Sequence, residues 1–204
     1  EKPATCTEAG SYDLVVYCSE CNEELSRETV IVDALGHDWD GTSCKRCGEK
    51  RENPFVDVDE VVHKSFLNAI LWASEEGITT GTDGSHFSPS GTCMRGHVVT
   101  FLWRAMGEPE PTITENPFVD VDAGAYYYKA VLWAYEKGIT TGIDATHFNP
   151  TGKCNRAQVV TFLWRAVGKP GSTATESGFT DVTNTQEFYY DAVLWAVENG
   201  ITNG

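Results

Sequence analysis

Between residues 53 and 204 the apolar positions recur in the same order three times. NPFVDVDE leads to FLNAILWASEEGITTG over residues 53–81, NPFVDVDA to YYKAVLWAYEKGITTG over 116–142, and SGFTDVTN to YYDAVLWAVENGITNG over 177–204. Phe55, Phe118 and Phe179 are spaced by 63 and 61 residues, and Trp72, Trp133 and Trp195 by 61 and 62. Within each unit FVDV alternates apolar and acidic residues, which predicts a short extended stretch. Asp59 and Asp122 then stand where they can cap a helix N-terminus. In the second unit Tyr127, Val131, Ala134 and Tyr135 form one stripe at helical spacing. Gly77, Gly138 and Gly200 fall where that helix should end. The three tryptophans lie on the apolar face and are expected in the core.

The first two units continue through a turn-rich loop, with Phe87-Ser88-Pro89 and Phe148-Asn149-Pro150, into a second helix beginning near Met94 and Asn155. Val98, Phe101, Leu102 and Ala105 follow helical spacing, Gly107 and Gly168 close the helices, and Pro109 and Pro170 follow. The third unit stops before this second half. Two short helices cannot bury both stripes alone, so tandem copies must pack on one another. The expected fold class is mainly α: helix-loop-helix repeats over 53–111, 116–171 and a partial 177–204, forming one domain at 51–204. The linkers GEPEPTITEN and GKPGSTATES suit exposed connections. Residues 1–50 form a different, β-rich module. Runs at Tyr12–Tyr17 and Glu28–Val32 flank CSECNE as strand, knuckle and strand, and GHDWDGTSCKRCGEK adds a second knuckle.

Charge narrows the partners. The formal net charge is −15 and no basic run exists, which argues against a nucleic-acid surface. An anionic ligand would have to be caught by a few local arginines against the overall field. No apolar run reaches the length of a membrane span, and no secretory leader opens the chain. It begins at Glu1, as a mature or excised piece would.

The repeated FxDV, xAVxWAxExGIxxG, FxP and VVTFLWRAxG pattern, with an Arg at the second helix start, resembles the S-layer homology repeat over about residues 53–204. That resemblance implies a pseudo-threefold bundle whose inter-repeat grooves bind secondary cell-wall polysaccharide, often pyruvylated. It implies an extracellular, non-catalytic anchor in the wall of a Gram-positive-type bacterium. The Cys-rich start, through ALGHDW, is similar to short repeats beside such domains in surface proteins of anaerobic bacteria. The alternative function is structural: a neighbouring chain completes the partial third repeat by swapping, giving oligomers or filaments.

The family's Thr-Arg-Ala-Glu motif stands here as Met94-Arg95-Gly96-His97 and Asn155-Arg156-Ala157-Gln158. Arg95 and Arg156 can each hold a carboxylate through two parallel hydrogen bonds, in a first turn whose free N–H groups favour anions. The competing reading pairs them with a structural Asp. Asp57, Asp120 and Asp181 are candidate acceptors for sugar hydroxyls, or else turn and helix caps. Arg104 and Arg165, in a last helical turn, suit structural roles. Cys93 and Cys154 lack a repeated His or acid partner, so they read as small buried residues that form no disulfide. His86 and His147 read as surface or packing residues.

Cys18-x2-Cys21 and Cys44-x2-Cys47 have the spacing of a structural, zinc-ribbon-like site. Cys6 and His37 are alternate ligands, and Cys6, Cys18, Cys21 and His37 make an equally legal set. Disulfides compete with zinc in an extracellular protein. No carboxylate pair, triad or open metal set points to an enzyme.

Overall fold

The computed structural model describes residues 1–204, which divide into two compact units: Glu1–Trp72 with Gly81–Pro89, and Ala73–Thr80 with Ser90–Gly204. It contains four strands, β1 (Gly10–Tyr17), β2 (Glu24–Val32), β3 (Trp39–Asp40) and β4 (Ser43–Cys44). Its five helices are α1 (Lys64–Glu75), α2 (Arg95–Ala105), α3 (Tyr128–Glu136), α4 (Arg156–Ala166) and α5 (Tyr190–Glu198). The regular elements are the expected ones, helices in the repeats and strands at the start, but most of the chain is turn and loop. No helix is long and apolar enough to cross a membrane.

In the first unit β1 and β2 pair antiparallel from Gly10↔Val32 to Tyr17↔Glu24, with an irregularity after Val16. β3 and β4 form a second small ladder. Phe55, Val58, Leu67, Ile70 and Leu71 make a separate small core, with Phe87 packed against it.

The FVDV segments are turns, not the extended stretches their alternation predicts. Val58 N–H points back to Phe55 O, and Phe55 and Val58 are both buried while Val56 is exposed. The reason is the preceding Asn: Asn53 Oδ1 accepts from Phe55 N and its Nδ2 donates to Val58 O, closing a loop around the pair. Asn116 does the same for Phe118 and Val121, and Ser177 for Phe179 and Val182. Asp59 accepts from Val61 and Val62 N–H in a turn before α1, so the helix begins several residues later than its cap suggests.

Helix ends follow the sequence closely. Gly138 has φ +66°, its N–H bonds Tyr135 O, and Ile139 N–H bonds Ala134 O. This pair of bonds satisfies the last carbonyls of α3 and needs a left-handed residue at Gly138. Gly200 ends α5 the same way.

In the second unit packing is staggered between repeats. α2 packs on α3, α4 on α5, and α2 touches α4. The second helix of one repeat thus covers the first helix of the next. The core joins Val98 and Val99 of α2 to Val131 and Trp133 of α3, with Phe118, Phe148 and Phe162. The stagger explains the tryptophans. Trp133 and Trp195 are buried, at 3% and 9% exposed, because α2 and α4 cover them. Trp72 is 52% exposed, a departure from the expected core position, since no second helix precedes α1.

The loops before Phe87 and Phe148 carry matching Asp–His pairs. Asp144 Oδ1 accepts from Thr146 N and His147 N at 2.8 Å and faces His147 Nδ1 at 3.1 Å. The Thr146 N–H and the His147 ring, against the upward pull of burial, bring the Asp144 carboxyl down to about 2 from its ordinary 3.8. A folded-state value below the unfolded one stabilises above the unfolded value, and that stabilisation is lost as pH falls through about 2. Asp144→Asn is therefore expected to be less stable than the parent at pH 7, with the gap closing between about pH 4 and 2. Urea midpoints across that range check it, and a pH-independent gap would contradict it.

Candidate functional site

α2 and α4 begin where the sequence placed them, with Met94 and Asn155 as N-caps and Arg95 and Arg156 as first helical residues. Asn155 Oδ1 accepts from Gln158 N at 2.8 Å, and Gln158 Oε1 accepts from Asn155 N at 3.1 Å. The first and fourth motif positions thus form a reciprocal cap, which Asn and Gln preserve in the second repeat. Met94 has no oxygen to offer, so only half survives in the first, where His97 Nδ1 accepts from Met94 N at 3.4 Å.

Arg95 is 5% exposed. Its Nε donates to Phe148 O at 2.9 Å, and its guanidinium carbon lies 4.8 Å from the Phe148 ring centroid and 5.2 Å from that of Phe162. The competing Asp pairing is absent: a carbonyl and two aromatic faces hold the charge. Burial lowers its pKa from the ordinary Arg value, while the Cys154 and Asp120 charges oppose this. A guanidinium stays protonated under either influence.

The first-turn amides of α2 are not free for an anion. Arg95 N donates to Gly152 O and Gly96 N to Pro150 O, both at 2.9 Å, so the next repeat's loop already occupies them. Gly96 permits this approach, since an added Cβ would meet Pro150 O and the Tyr127 ring at 3.1 Å. Arg156 is exposed and donates from Nη2 to Thr202 Oγ1 at 3.0 Å.

Asp57 and Asp120 pin the Phe-x-Pro loops. Asp57 accepts from Phe87 N at 2.8 Å and Ser88 N at 2.7 Å, and Asp120 from Phe148 N at 2.9 Å and Asn149 N at 2.7 Å. Burial would raise the Asp57 carboxyl, but these amides outweigh it and lower its pKa. The clamped Ser88 and Asn149 sit at φ +60° and +59°, a conformation non-Gly residues rarely hold without such support. Asp181 is exposed.

Arg95 lies in a cleft of about 380 Å³. Thr140 and Thr141 follow α3, Gln158, Thr161, Phe162 and Arg165 come from α4, and Phe188 precedes α5. Arg165 donates from Nη1 to Ile139 O at 3.1 Å, as Arg104 does to Ile78 O, which fits the structural role expected of both. That Arg165 also faces the cleft was missed in the sequence. The signal available was its position two turns from Gln158 on one helix face. The cleft therefore presents two guanidinium groups, hydroxyls, an amide and aromatic faces, a set suited to an anionic sugar.

Cys93 and Cys154 differ from expectation. Cys93 is exposed and Cys154 half-buried, and Cys154 N donates to Cys93 O at 3.0 Å across an antiparallel bridge at Met94↔Lys153. Equivalent positions meet because the stagger joins successive loops. Both thiols are free.

A second cluster lies in residues 1–50. Ligand atoms of Cys6, His37, Cys44 and Cys47 all lie within 4.8 Å of one another and can hold a metal ion. Burial would raise the Cys44 thiol, but the Cys47 and Arg46 amides and the His37 side chain bring it down to about 6. Burial and hydrogen bonds to Cys47 and Cys44 push Cys6 up to about 11. Cys18 and Cys21 are not in this group. They sit at the far tip of the β1–β2 hairpin, beyond eight strand residues.

The sequence profile of the S-layer homology domain matches residues 54–98, 117–160 and 178–204. The chain belongs to the S-layer homology domain family. It is 30% identical over 130 residues to the surface-layer 125 kDa protein of Lysinibacillus sphaericus, covering 64% of this chain and 11% of that protein. It is 34% identical over 92 residues to an endoglucanase of Bacillus sp. (strain KSM-635), covering 45% and 10%. A cell surface protein of Thermoanaerobacter kivui is 25% identical over 130 residues, covering 62% and 17%. The chain thus spans less than a fifth of each of these relatives.

Proposed function

We propose that residues 51–204 are a non-catalytic anchor that binds an anionic secondary cell-wall polysaccharide, of pyruvylated type, in the cleft around Arg95. The chain is a cell-surface module, as its family and relatives are. Completed repeats would stand around a pseudo-threefold axis, placing an equivalent groove beside Arg156. Residues 1–50, which belong to the first compact unit, take no part in glycan contact.

The observation that carries this reading is local charge. In a chain of net charge −15, the cleft gathers Arg95 and Arg165 beside Thr140, Thr161, Gln158 and Phe188. Neither guanidinium is spent on a carboxylate; each gives one hydrogen bond to a carbonyl, which leaves further donors. Asp120 acts one step back: its carboxylate holds the loop whose Phe148 O fixes Arg95, while Asp57 holds the corresponding loop of the first repeat.

The test is equilibrium binding of the 204-residue chain to purified pyruvylated wall polysaccharide, and to the same polymer after mild acid removes the ketals. Affinity is expected to fall at least about tenfold on ketal removal, the worth of one charge-assisted bond. Equal affinity would exclude recognition of the acid. Phe188→Ala, at the exposed edge of the cleft, is expected to weaken binding about fivefold with an unchanged unfolding midpoint. Undiminished binding by that variant would place the glycan elsewhere.

A further inference from the structure

We infer that Cys6, His37, Cys44 and Cys47 bind one structural zinc ion, closing the base of the β1–β2 hairpin, and that Cys18 and Cys21 take no part in it. The spacings fit a tetrahedron. With Zn–S near 2.3 Å and Zn–N near 2.1 Å, tetrahedral edges are about 3.8 Å between sulfurs and about 3.6 Å between sulfur and nitrogen. Cys6 Sγ and Cys44 Sγ are 3.8 Å apart, and Cys47 Sγ lies 3.4 Å from His37 Nδ1. Three thiolates and one imidazole form a closed set that favours zinc over oxygen-seeking cations, and they leave no open position for a reacting water.

Backbone and side-chain hydrogen bonds bring these four residues together. Leu35 N donates to Thr5 O, bringing the segment before His37 beside Cys6. Lys45 N donates to Asp38 O, and Arg46 Nη1 donates to Leu35 O and Gly36 O, so the knuckle is tied to the same segment. His37 is oriented on its other side: Nε2 lies 3.5 Å from Glu49 Oε2, and the ring stacks on Trp39 at 4.7 Å. A carboxylate on the free ring nitrogen fixes the tautomer that leaves Nδ1 for a metal.

The excluded knuckle is the informative control. Cys18 N donates to Glu23 O and Asn22 N to Cys18 O, with Asn22 at φ +59°; Cys44 N donates to Glu49 O and Gly48 N to Cys44 O, with Gly48 at φ +75°. The two knuckles are built alike. At about 3.3 Å per residue, the eight residues of β1 hold the first roughly 26 Å from the hairpin base where Cys6 lies. Knuckle geometry alone does not make the site; the extra Cys and His do.

The test uses the reduced 204-residue chain, with zinc measured by metal analysis after gel filtration and cobalt as a spectroscopic probe. One equivalent of zinc is expected in the parent and in Cys18→Ser/Cys21→Ser, and none in Cys44→Ser. Cobalt is expected to give the visible bands of a tetrahedral thiolate site. His37→Cys, which keeps four ligands, is expected to retain one cobalt with bands moved to lower energy. Glu49→Gln is expected to weaken zinc binding about tenfold or more. Zinc lost from Cys18→Ser/Cys21→Ser, no zinc in the reduced parent, or an unmoved cobalt spectrum in His37→Cys would each overturn the assignment.

Discussion

Replacing Phe148 by alanine is expected to cost about 3–5 kcal/mol of unfolding free energy, the range for a fully buried aromatic. Phe148 has no exposed surface, tilts against Phe118 at 5.8 Å between centroids, and lies under the Arg95 guanidinium. Its backbone is fixed at both ends, N–H to Asp120 and C=O to Arg95. Truncation therefore opens a cavity and removes one of the two ring faces against the buried charge. Urea unfolding of the full chain measures this, and a loss below about 1 kcal/mol would mean that the loop refills the space.

Arg95→Ala is expected to cost roughly 2–4 kcal/mol, because it removes a charge-donated bond and two ring contacts and strands Phe148 O. It is a poor probe of binding alone, since the side chain joins two repeats before any ligand arrives. Arg95→Lys separates the roles. The ammonium keeps the charge but cannot reproduce the planar fork, so glycan affinity is expected to fall about tenfold while more stability survives than in the alanine variant. Polysaccharide binding and urea midpoints measured together decide it. Full affinity in Arg95→Lys would make this arginine purely structural.

The helices, their glycine stops and the second-helix starts at Arg95 and Arg156 were readable because each rests on local chemistry. Periodicity marks the stripe, a left-handed residue marks the end, and a capping pair marks the start. FVDV misled because burial at two positions three apart in a turn also reads as alternation over four residues; Asn53 and Asn116 were the missed signal. Trp72 looked identical to Trp133, and only the stagger between repeats separates them. For the proposed metal site, two knuckles of the same Cys-x2-Cys spacing suggested one shared ion, with Cys6 and His37 as alternate ligands. Pairing of β1 with β2 sets their separation, and no spacing rule for Cys carries that length. Asp57 and Asp120 could not be resolved from sequence, since the amides they accept lie about thirty residues away.

The stagger means that the boundaries visible in the sequence are not the seams along which the protein comes apart. α2 ends the first repeat yet its apolar face belongs to α3, and the intervening linker is itself tied to both helices, with Pro109 O accepting from Trp103 Nε1, Glu110 pairing with Lys129 and Glu136 accepting from Thr112 N–H. A protease cutting between Gly107 and Asn116 would thus leave the fragments interlocked, their release governed by the helix interface and not by the severed peptide bond.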